Sequence, residues 1–211
     1  MTRASAGPAE DHRAEQHRAS ADAADPAVSA DVLARAAAGD DQAWRRVLEA
    51  YGRRVFAMAF SRLRDPDIAE ELTQAVFVKV AEQWASGDYT EQGRFESWLF
   101  RITMNQIRDE ARGRRRRAGR LAPAGSLDAA PSQHELAPEE APRSETDRMR
   151  AAIEQLSESD RDIITLRHQG GMGFKAMAAL LNEPVGTLLA RHHRALKKLR
   201  TLMETDSETN A

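Results

Sequence analysis

Apolar residues recur at helical spacing through the first half of the chain, over residues 28–113. One stripe comprises Trp44, Val47, Leu48, Tyr51, Val55, Met58, Ala59 and Leu63, and a second comprises Ile68, Leu72, Val76, Val80 and Trp84. Intervals of three and four residues place such side chains on one face of an α-helix. Asp40 precedes the first stripe and Asp65-Pro66 precedes the second, and these residue types begin helices. The pattern predicts a helical domain whose third long helix covers residues 94–113.

The rest of the chain divides by composition. Residues 1–27 carry almost no large apolar side chains, so we expect a disordered tail there. Residues 114–144 contain four prolines and show no periodicity, which predicts a linker. Helical spacing returns over residues 145–203, the second predicted domain, and a short tail follows at 204–211.

Four helices are predicted in the second domain. They cover residues 146–156, the segment from a Ser159 cap to residue 168, residues 174–181 and residues 185–203. The turn Asn182-Glu183-Pro184 separates the last two, which gives them the spacing of a helix-turn-helix. The sequence therefore predicts an all-α fold, with two small helical domains joined by a flexible linker.

Composition narrows the classes of function. The chain has no cysteine, which excludes disulfides and thiolate chemistry and fits a reducing compartment. Neither a membrane-spanning apolar run nor a signal-peptide pattern is present, so we expect a cytoplasmic protein without membrane insertion. Even around Asp162 and His168 there is no nucleophile motif, phosphate-binding glycine loop or metal-ligand spacing. We therefore expect no enzymatic activity, no metal site and no cofactor.

The last predicted helix is basic, although the whole chain has a net charge of −2. Its cations are Arg191, His192, His193, Arg194, Lys197, Lys198 and Arg200. At 3.6 residues per turn, one face carries Leu188, His192, Ala195 and Leu199, and the opposite face carries Thr187, Ala190, His193, Arg194 and Lys197. A basic helix could simply be solvated and complement its own dipole. The preceding helix and turn favour DNA recognition, with His192 as a histidine at the edge of the core.

A second basic cluster lies where the third long helix meets the linker. It comprises Arg108, Arg112, Arg114, Arg115, Arg116, Arg117 and Arg120. Taken alone, such a run fits a solvated helix end as well as a binding site. Trp98 and Asn105 precede it on the same helix, and an aromatic ring, an amide and arginines are the groups that hold single-stranded DNA. We therefore predict a contact with single-stranded DNA along this helix.

Several motifs resemble bacterial sigma factors of the extracytoplasmic-function class. Residues 39–44, GDDQAW, resemble the start of the second conserved region, and residues 69–77, AEELTQAVF, resemble the polymerase-binding helix. The segment 95–112 is similar to the promoter-melting helix. In the last helix, Gly186-Thr187, Arg191, Arg194-Ala195 and Lys197-Lys198-Leu199-Arg200 resemble the fourth region, which reads the upstream promoter element.

The resemblance implies a dissociable polymerase subunit that directs promoter recognition and opens the minus-ten element by capturing a flipped base. Its implied partners are core RNA polymerase, through the beta-prime clamp and beta flap, promoter DNA and an anti-sigma factor. The implied polymerase contacts are Glu70, Glu71, Gln74 and Phe77. The implied minus-ten contacts are Tyr89, Trp98, Arg101, Asn105, Arg108 and Arg112, with the loop at residues 86–93 beside the base. The implied upstream contacts are Thr187, Ala190, Arg191, His193, Arg194 and Lys197.

Some positions depart from the family pattern. Ala75 stands where the family usually has an acid, and Lys175, Ala176 and Met177 stand where it favours acids and isoleucine. From the residues alone, the acids of the polymerase-binding helix could also form an ordinary solvated face. A helix-turn-helix regulator that acts without polymerase also remains open, although it leaves the first-domain motifs unexplained.

Overall fold

The computed structural model describes residues 28–87, 89, 93–121 and 144–209, and within these residues it contains helices and turns but no strand. In the first half the helices are α1 Ala30–Ala37, α2 Asp41–Leu63, α3 Pro66–Ala85 and α4 Phe95–Leu121. In the second half they are α5 Glu145–Glu154, α6 Glu158–Ile164, α7 Phe174–Leu181 and α8 Val185–Thr209. A π-helical turn, Thr165–Gln169, follows α6. The all-α prediction is confirmed, whereas the expected tail at residues 1–27 lies outside the described residues.

Side-chain caps define the helix starts in the first half. The Asp40 carboxylate accepts hydrogen bonds from the backbone N–H groups of Gln42 at 2.9 Å and Ala43 at 3.1 Å. Asp65 accepts from the N–H of Ile68 at 3.1 Å, and Pro66 occupies the first helical position. These bonds satisfy donors that lack partners within the helix, so both predicted starts are confirmed.

Three predicted boundaries are wrong. Helix α8 continues past residue 203 to Thr209, so most of the predicted tail is helical. The cap of α6 is Ser157, whose hydroxyl accepts from the N–H of Asp160 at 3.2 Å, and not Ser159. Helix α4 continues beyond residue 113 to Leu121, because arginine favours helix and Arg114 donates to the Leu63 carbonyl oxygen at 2.8 Å. The first residues of the predicted linker are therefore helical.

One hydrophobic core runs through both halves of the chain. The apolar stripes of α2 and α3 are buried except for Trp44, Leu48 and Ile68, which are partly buried, and second-half side chains join the same cluster. These side chains are Ile163, Leu166, Met172, Met177, Leu180 and Leu188. A smaller cluster lies within the second half and comprises Ala152, Leu156, Ile164, Ala195 and Leu199. The second half therefore packs directly on the first, with α7 against α4 and the π-helical turn against α2.

Polar contacts fix how the halves meet. The Arg54 guanidinium donates to the Gly170 carbonyl oxygen and to the Glu96 carboxylate at 2.8 Å, and it lies 4.8 Å from the centre of the Phe100 ring. Glycine is required at position 170, because a Cβ there would lie 2.7 Å from the carbonyl oxygen of Leu166. These contacts give the two halves a defined orientation.

Asp162 makes the most buried ionic contact between the halves. Its side chain is 7% exposed and accepts from Arg62 of α2 and Arg108 of α4, each at 2.6 Å. The two arginines and the carboxylate are largely shielded from water, so removal of one partner would leave an uncompensated charge. The cluster therefore stabilises the fold only while all three side chains remain paired. Nothing in the sequence pattern indicated this cluster.

Candidate nucleic-acid interface

Helix α8 presents the face that its periodicity predicts. Leu188, Ala195 and Leu199 are buried. The exposed residues on the other side are Thr187, Ala190, His193, Arg194 and Lys197. Helix α7 and the Asn182 turn precede this face, and Asn182 ends α7 in the left-handed conformation with φ 55°. The exposed side has the shape and charge needed to enter a DNA groove.

Arg191 differs from the other predicted upstream contacts. It is half-buried and forms a two-pronged ion pair with Glu183, with nitrogen–oxygen distances of 2.8 and 2.9 Å. Glu183 lies in the turn before α8, so the pair braces the turn against the helix. In this structure the charge of Arg191 is therefore already neutralised.

His192 packs at the edge of the core, as its position predicts. Its Nε2 lies 3.2 Å from Nε2 of His168, and its ring meets Phe174 edge-on with centroids 5.3 Å apart. Burial lowers the pKa of both imidazoles, and Arg167 lowers both further. Both rings are therefore uncharged near neutral pH, although His168 is more exposed than His192.

Helix α3 carries an exposed polar face. Glu70, Glu71 and Gln74 are exposed, and the Gln74 amide donates to Glu70 at 3.4 Å. Phe77 lies beneath this face, because its ring is only 6% exposed and packs edge-on against Trp44 with centroids 6.3 Å apart. Its contact with polymerase stays a prediction. Val78, which is 57% exposed, is the apolar residue on the solvent side of this helix.

Aromatic rings meet where the loop at residues 86–93 enters α4. Tyr89 stacks on Trp98 with centroids 4.0 Å apart, and Phe95 contacts both rings at 6.0 and 5.7 Å. Trp98 is half-buried, so part of its surface remains available. Residues 88 and 90–92 of the loop lie outside the described residues. The stack offers the type of surface on which an unpaired base can lie.

The polar residues of α4 divide into two groups. Arg101 donates to the carbonyl oxygens of Ala179 and Leu180, each at 3.3 Å, and Arg108 pairs with Asp162. Asn105 and Arg112 are exposed, although Arg112 lies 3.5 Å from Asp109. Two cations predicted to contact DNA thus face the second half of the chain.

Several residues that hold the halves together were not predicted from the sequence. Arg54, Arg62 and Asp162 lie within helices whose apolar positions were predicted correctly, but their partners are remote in sequence. Among the described residues, no group of three or more side chains is arranged as metal ligands. None of the described helices combines the length and apolar character that a membrane span needs.

Comparison with known proteins covers both halves. Residues 47–117 match Sigma-70 region 2, and residues 146–199 match Sigma-70 region 4. The RNA polymerase sigma factor CnrH of Cupriavidus metallidurans is 31% identical over 188 residues, which cover 84% of this chain and 95% of CnrH. The ECF RNA polymerase sigma factor SigE of Mycolicibacterium smegmatis is 28% identical over 186 residues, which cover 83% of this chain and 68% of SigE.

Two solved sigma-factor structures resemble this chain over both halves. CnrH in complex with the cytosolic domain of CnrY matches with a TM-score of 0.63 at 26% identity, over 83% of this chain and 96% of CnrH. RpoE from Bartonella quintana, solved with the anti-sigma factor NepR, matches with a TM-score of 0.56 at 26% identity, over 77% of this chain and 98% of RpoE. The chain belongs to the RNA polymerase sigma factors of the extracytoplasmic-function class.

Proposed function

We propose that three surfaces of this alternative sigma factor divide the work of transcription initiation. The exposed face of α3 binds core RNA polymerase, and the Tyr89–Trp98 stack with the polar residues of α4 engages the opened minus-ten strand. The exposed face of α8 reads the upstream promoter element. One observation carries the proposal: these surfaces lie within the segments that match Sigma-70 regions 2 and 4.

The polymerase contact is assigned to Glu71, Gln74 and Val78, with Glu70 at its border. Spacings of three and four residues align their side chains on the solvent side of α3. A carboxylate, an amide and an exposed valine together suit a basic partner surface with an apolar centre. Ala75, beside them, supplies no charge, so Glu71 carries most of the electrostatic attraction.

The minus-ten contact combines stacking with charge. An extruded base would lie against the Tyr89–Trp98 pair, which is already stacked and so loses little conformational freedom when it binds. Asn105 offers an amide to base edges, and Arg112 offers a guanidinium to phosphate. Both side chains are exposed and accessible to DNA.

Promoter binding requires the halves to separate. Arg108 pairs with Asp162 of the second half, so the opened strand would pair with Arg108 only after Asp162 releases it, and exposed Arg101 would exchange its hydrogen bonds to α7 for phosphate. We assign the two functional domains to residues 28–121 and 144–209, joined by residues 122–143. An anti-sigma factor is a further partner, by analogy with the RpoE–NepR complex.

The experiment combines polymerase capture with transcription by purified core enzyme. The double variant Glu71→Lys with Gln74→Ala should lose capture and promoter-specific transcripts, because charge reversal in an interface commonly costs several kcal/mol. The matched control is Glu49→Lys with Gln42→Ala, which makes the same changes at exposed positions on α2. We expect the control to behave as the wild type.

Two outcomes would contradict the assignment. If the α3 variant folds normally and still binds core polymerase at wild-type strength, the polymerase surface lies elsewhere. If the wild-type chain binds its promoter with equal affinity with and without polymerase, the chain acts as a helix-turn-helix regulator.

A further inference from the structure

A cavity of about 710 Å³ lies between the two halves, and its walls are strongly basic. Eight arginines line it, against two glutamates, Glu154 and Glu158. The end of α2 and the second half of α4 supply seven of these arginines, and α6 supplies Arg161. The cavity therefore exists only while the halves are packed together.

Five of the arginines have carboxylate partners. Asp162 holds Arg62 and Arg108, and the others pair with Asp65, Asp109 and Glu110. The remaining three are Arg64, Arg115 and Arg161. Within the described parts of the chain, none of these three has a carboxylate at ion-pairing distance. The cavity walls therefore carry an excess of positive charge.

Arg161 shows this excess most clearly. Its Nε is fully buried and has no hydrogen-bond acceptor among the described residues. Burial lowers the pKa of Arg161, and the like charges of Arg62 and Arg115 lower it further than the nearby Glu158 and Asp162 raise it. Burial also lowers the pKa of Arg64. A buried polar atom normally has a hydrogen-bond partner, so the Nε–H of Arg161 is unsatisfied, while the half-buried side chain as a whole lines the cavity.

Phosphate is the anion that suits these walls. A guanidinium presents paired N–H donors that match the oxygens of a phosphate group. The three guanidiniums without an ion pair outnumber the two glutamates of the lining, and a chain of phosphates supplies negative charge within such a small volume. Leu63, Ile68 and Ala111 add an apolar strip. The volume falls within the range of about 300–1,000 Å³ that small-molecule sites occupy.

We propose that this cavity binds a small molecule with several linked phosphate groups, held by Arg64 and Arg115 from the first half and Arg161 from the second. Such a ligand joins both halves and stabilises their packed arrangement. In that arrangement Arg108 remains with Asp162, so the ligand also withholds this arginine from DNA. The site goes beyond the proposed sigma function and does not depend on it.

The test measures binding of inorganic tripolyphosphate to the full chain by calorimetry at low salt, where charge screening is weak. We expect saturable binding that weakens roughly tenfold in Arg161→Gln and in Arg64→Gln, the size of effect expected when one guanidinium–phosphate contact is lost. The control Arg45→Gln removes the same charge from an exposed position on α2 and should change affinity less than about twofold. Circular dichroism confirms that each variant is folded.

A second arm identifies the source of the phosphates. Guanosine triphosphate, tested beside tripolyphosphate without magnesium, should bind more tightly if a base lies on the apolar strip. If guanosine triphosphate and tripolyphosphate bind with equal affinity, the cavity recognises the phosphate chain alone. Either result supports the site.

Several outcomes would overturn the proposal. Absence of saturable binding at millimolar tripolyphosphate excludes the site, and equal weakening by Arg45→Gln shows general attraction to a basic surface. If only a single-stranded oligonucleotide binds with dependence on Arg161, the cavity belongs to the DNA path. Because these measurements use the free chain, failure of the polymerase experiment leaves their result intact.

Discussion

Asp162 illustrates how one side chain can control the cations around it. Arg108 is suited to bind DNA, yet its guanidinium lies 2.6 Å from a carboxylate on the opposite half. Arg62 pairs with the same carboxylate, also at 2.6 Å, and its side chain is almost as buried as that of Asp162. While Asp162 is charged and in place, neither arginine is free for an outside ligand.

Replacement of that carboxylate should release Arg108. We predict that Asp162→Asn binds a single-stranded minus-ten oligonucleotide several-fold more tightly and lowers the free energy of unfolding by about 3 kcal/mol, because two cations lose their buried partner. Fluorescence anisotropy and urea unfolding measure the two effects. Asp160→Asn, two residues earlier on the same helix and with no ion pair to Arg62 or Arg108, removes an equal charge and should change both quantities little. Unchanged oligonucleotide binding in Asp162→Asn would show that Arg108 does not contact the strand.

The His168–His192 pair should make stability depend on pH. Burial lowers the pKa of both rings below the unfolded value of about 6.5, so the unfolded chain takes up protons first as the pH falls. The free energy of unfolding should therefore be highest above about pH 6.5 and should decline below it until the folded rings protonate.

The double variant His168→Gln with His192→Gln should flatten that decline in urea unfolding between pH 7 and 5. His193→Gln, at an exposed position on the same helix, should retain the wild-type slope. An equal slope in all three proteins would assign the pH dependence to other groups.

On helix α8, two exposed cations should contribute in different ways. Arg194→Ala should cost about 1–3 kcal/mol at the preferred promoter and relax preference at one base pair. Lys197→Ala should weaken binding to all sequences alike and reduce the salt dependence by about one phosphate. Selection from random upstream sequences and a salt titration measure these effects. If Arg194→Ala selects the wild-type motif with the same stringency, Arg194 makes no base contact.

Local chemistry explains which elements the sequence predicted. Asp40 and Asp65 cap helices through neighbouring N–H groups, so the information lies within a few residues. The division of α8 into buried and exposed faces follows from periodicity alone. The error at Ser159 arose because Ser157 is an equally good cap two residues earlier, and only backbone geometry decides between them.

Long-range contacts explain what the sequence could not predict. Phe77 fits the motif of an exposed anchor, but its burial depends on Trp44, a residue of another helix. Asp162 lies 100 residues from Arg62 and 54 from Arg108, and no periodic signal links such distant positions. Most helices and the recognition face were therefore predictable, whereas the contact between the halves and its effect on the α4 cations were not.

At the scale of the whole molecule, chain length limits how far the halves can separate. Residues 122–143 connect α4 to the second half. Fully extended, this segment reaches roughly 75 Å. The two promoter elements implied by the family lie roughly 60 Å apart at about 3.4 Å per base pair. The connection can therefore span them only when it is almost fully drawn out.

Shortening the connection to about ten residues, a reach of roughly 35 Å, should abolish transcription from promoters that need both elements. Each half should still bind its own partner, because no described helix is altered. A Gly-Ser replacement of equal length should be much milder. Transcription assays with purified core enzyme give the comparison, and full activity of the shortened protein would show that the halves need not bridge separate elements.

Arg108 pairs with Asp162 and is also proposed to bind DNA, and this double role has a genetic consequence. A selection for constitutive variants, in which transcription is raised without any added stimulus, should recover substitutions at Asp162 or Arg62, since both loosen the contact between the halves and leave the proposed DNA contacts of α4 intact. Substitutions at Arg108 should be absent from such a collection, because they loosen the same contact and remove a DNA ligand in one step. The positions of the constitutive substitutions would thus distinguish two kinds of residue. Asp162 and Arg62 only hold the halves together, whereas Arg108 is proposed both to hold them together and to bind DNA.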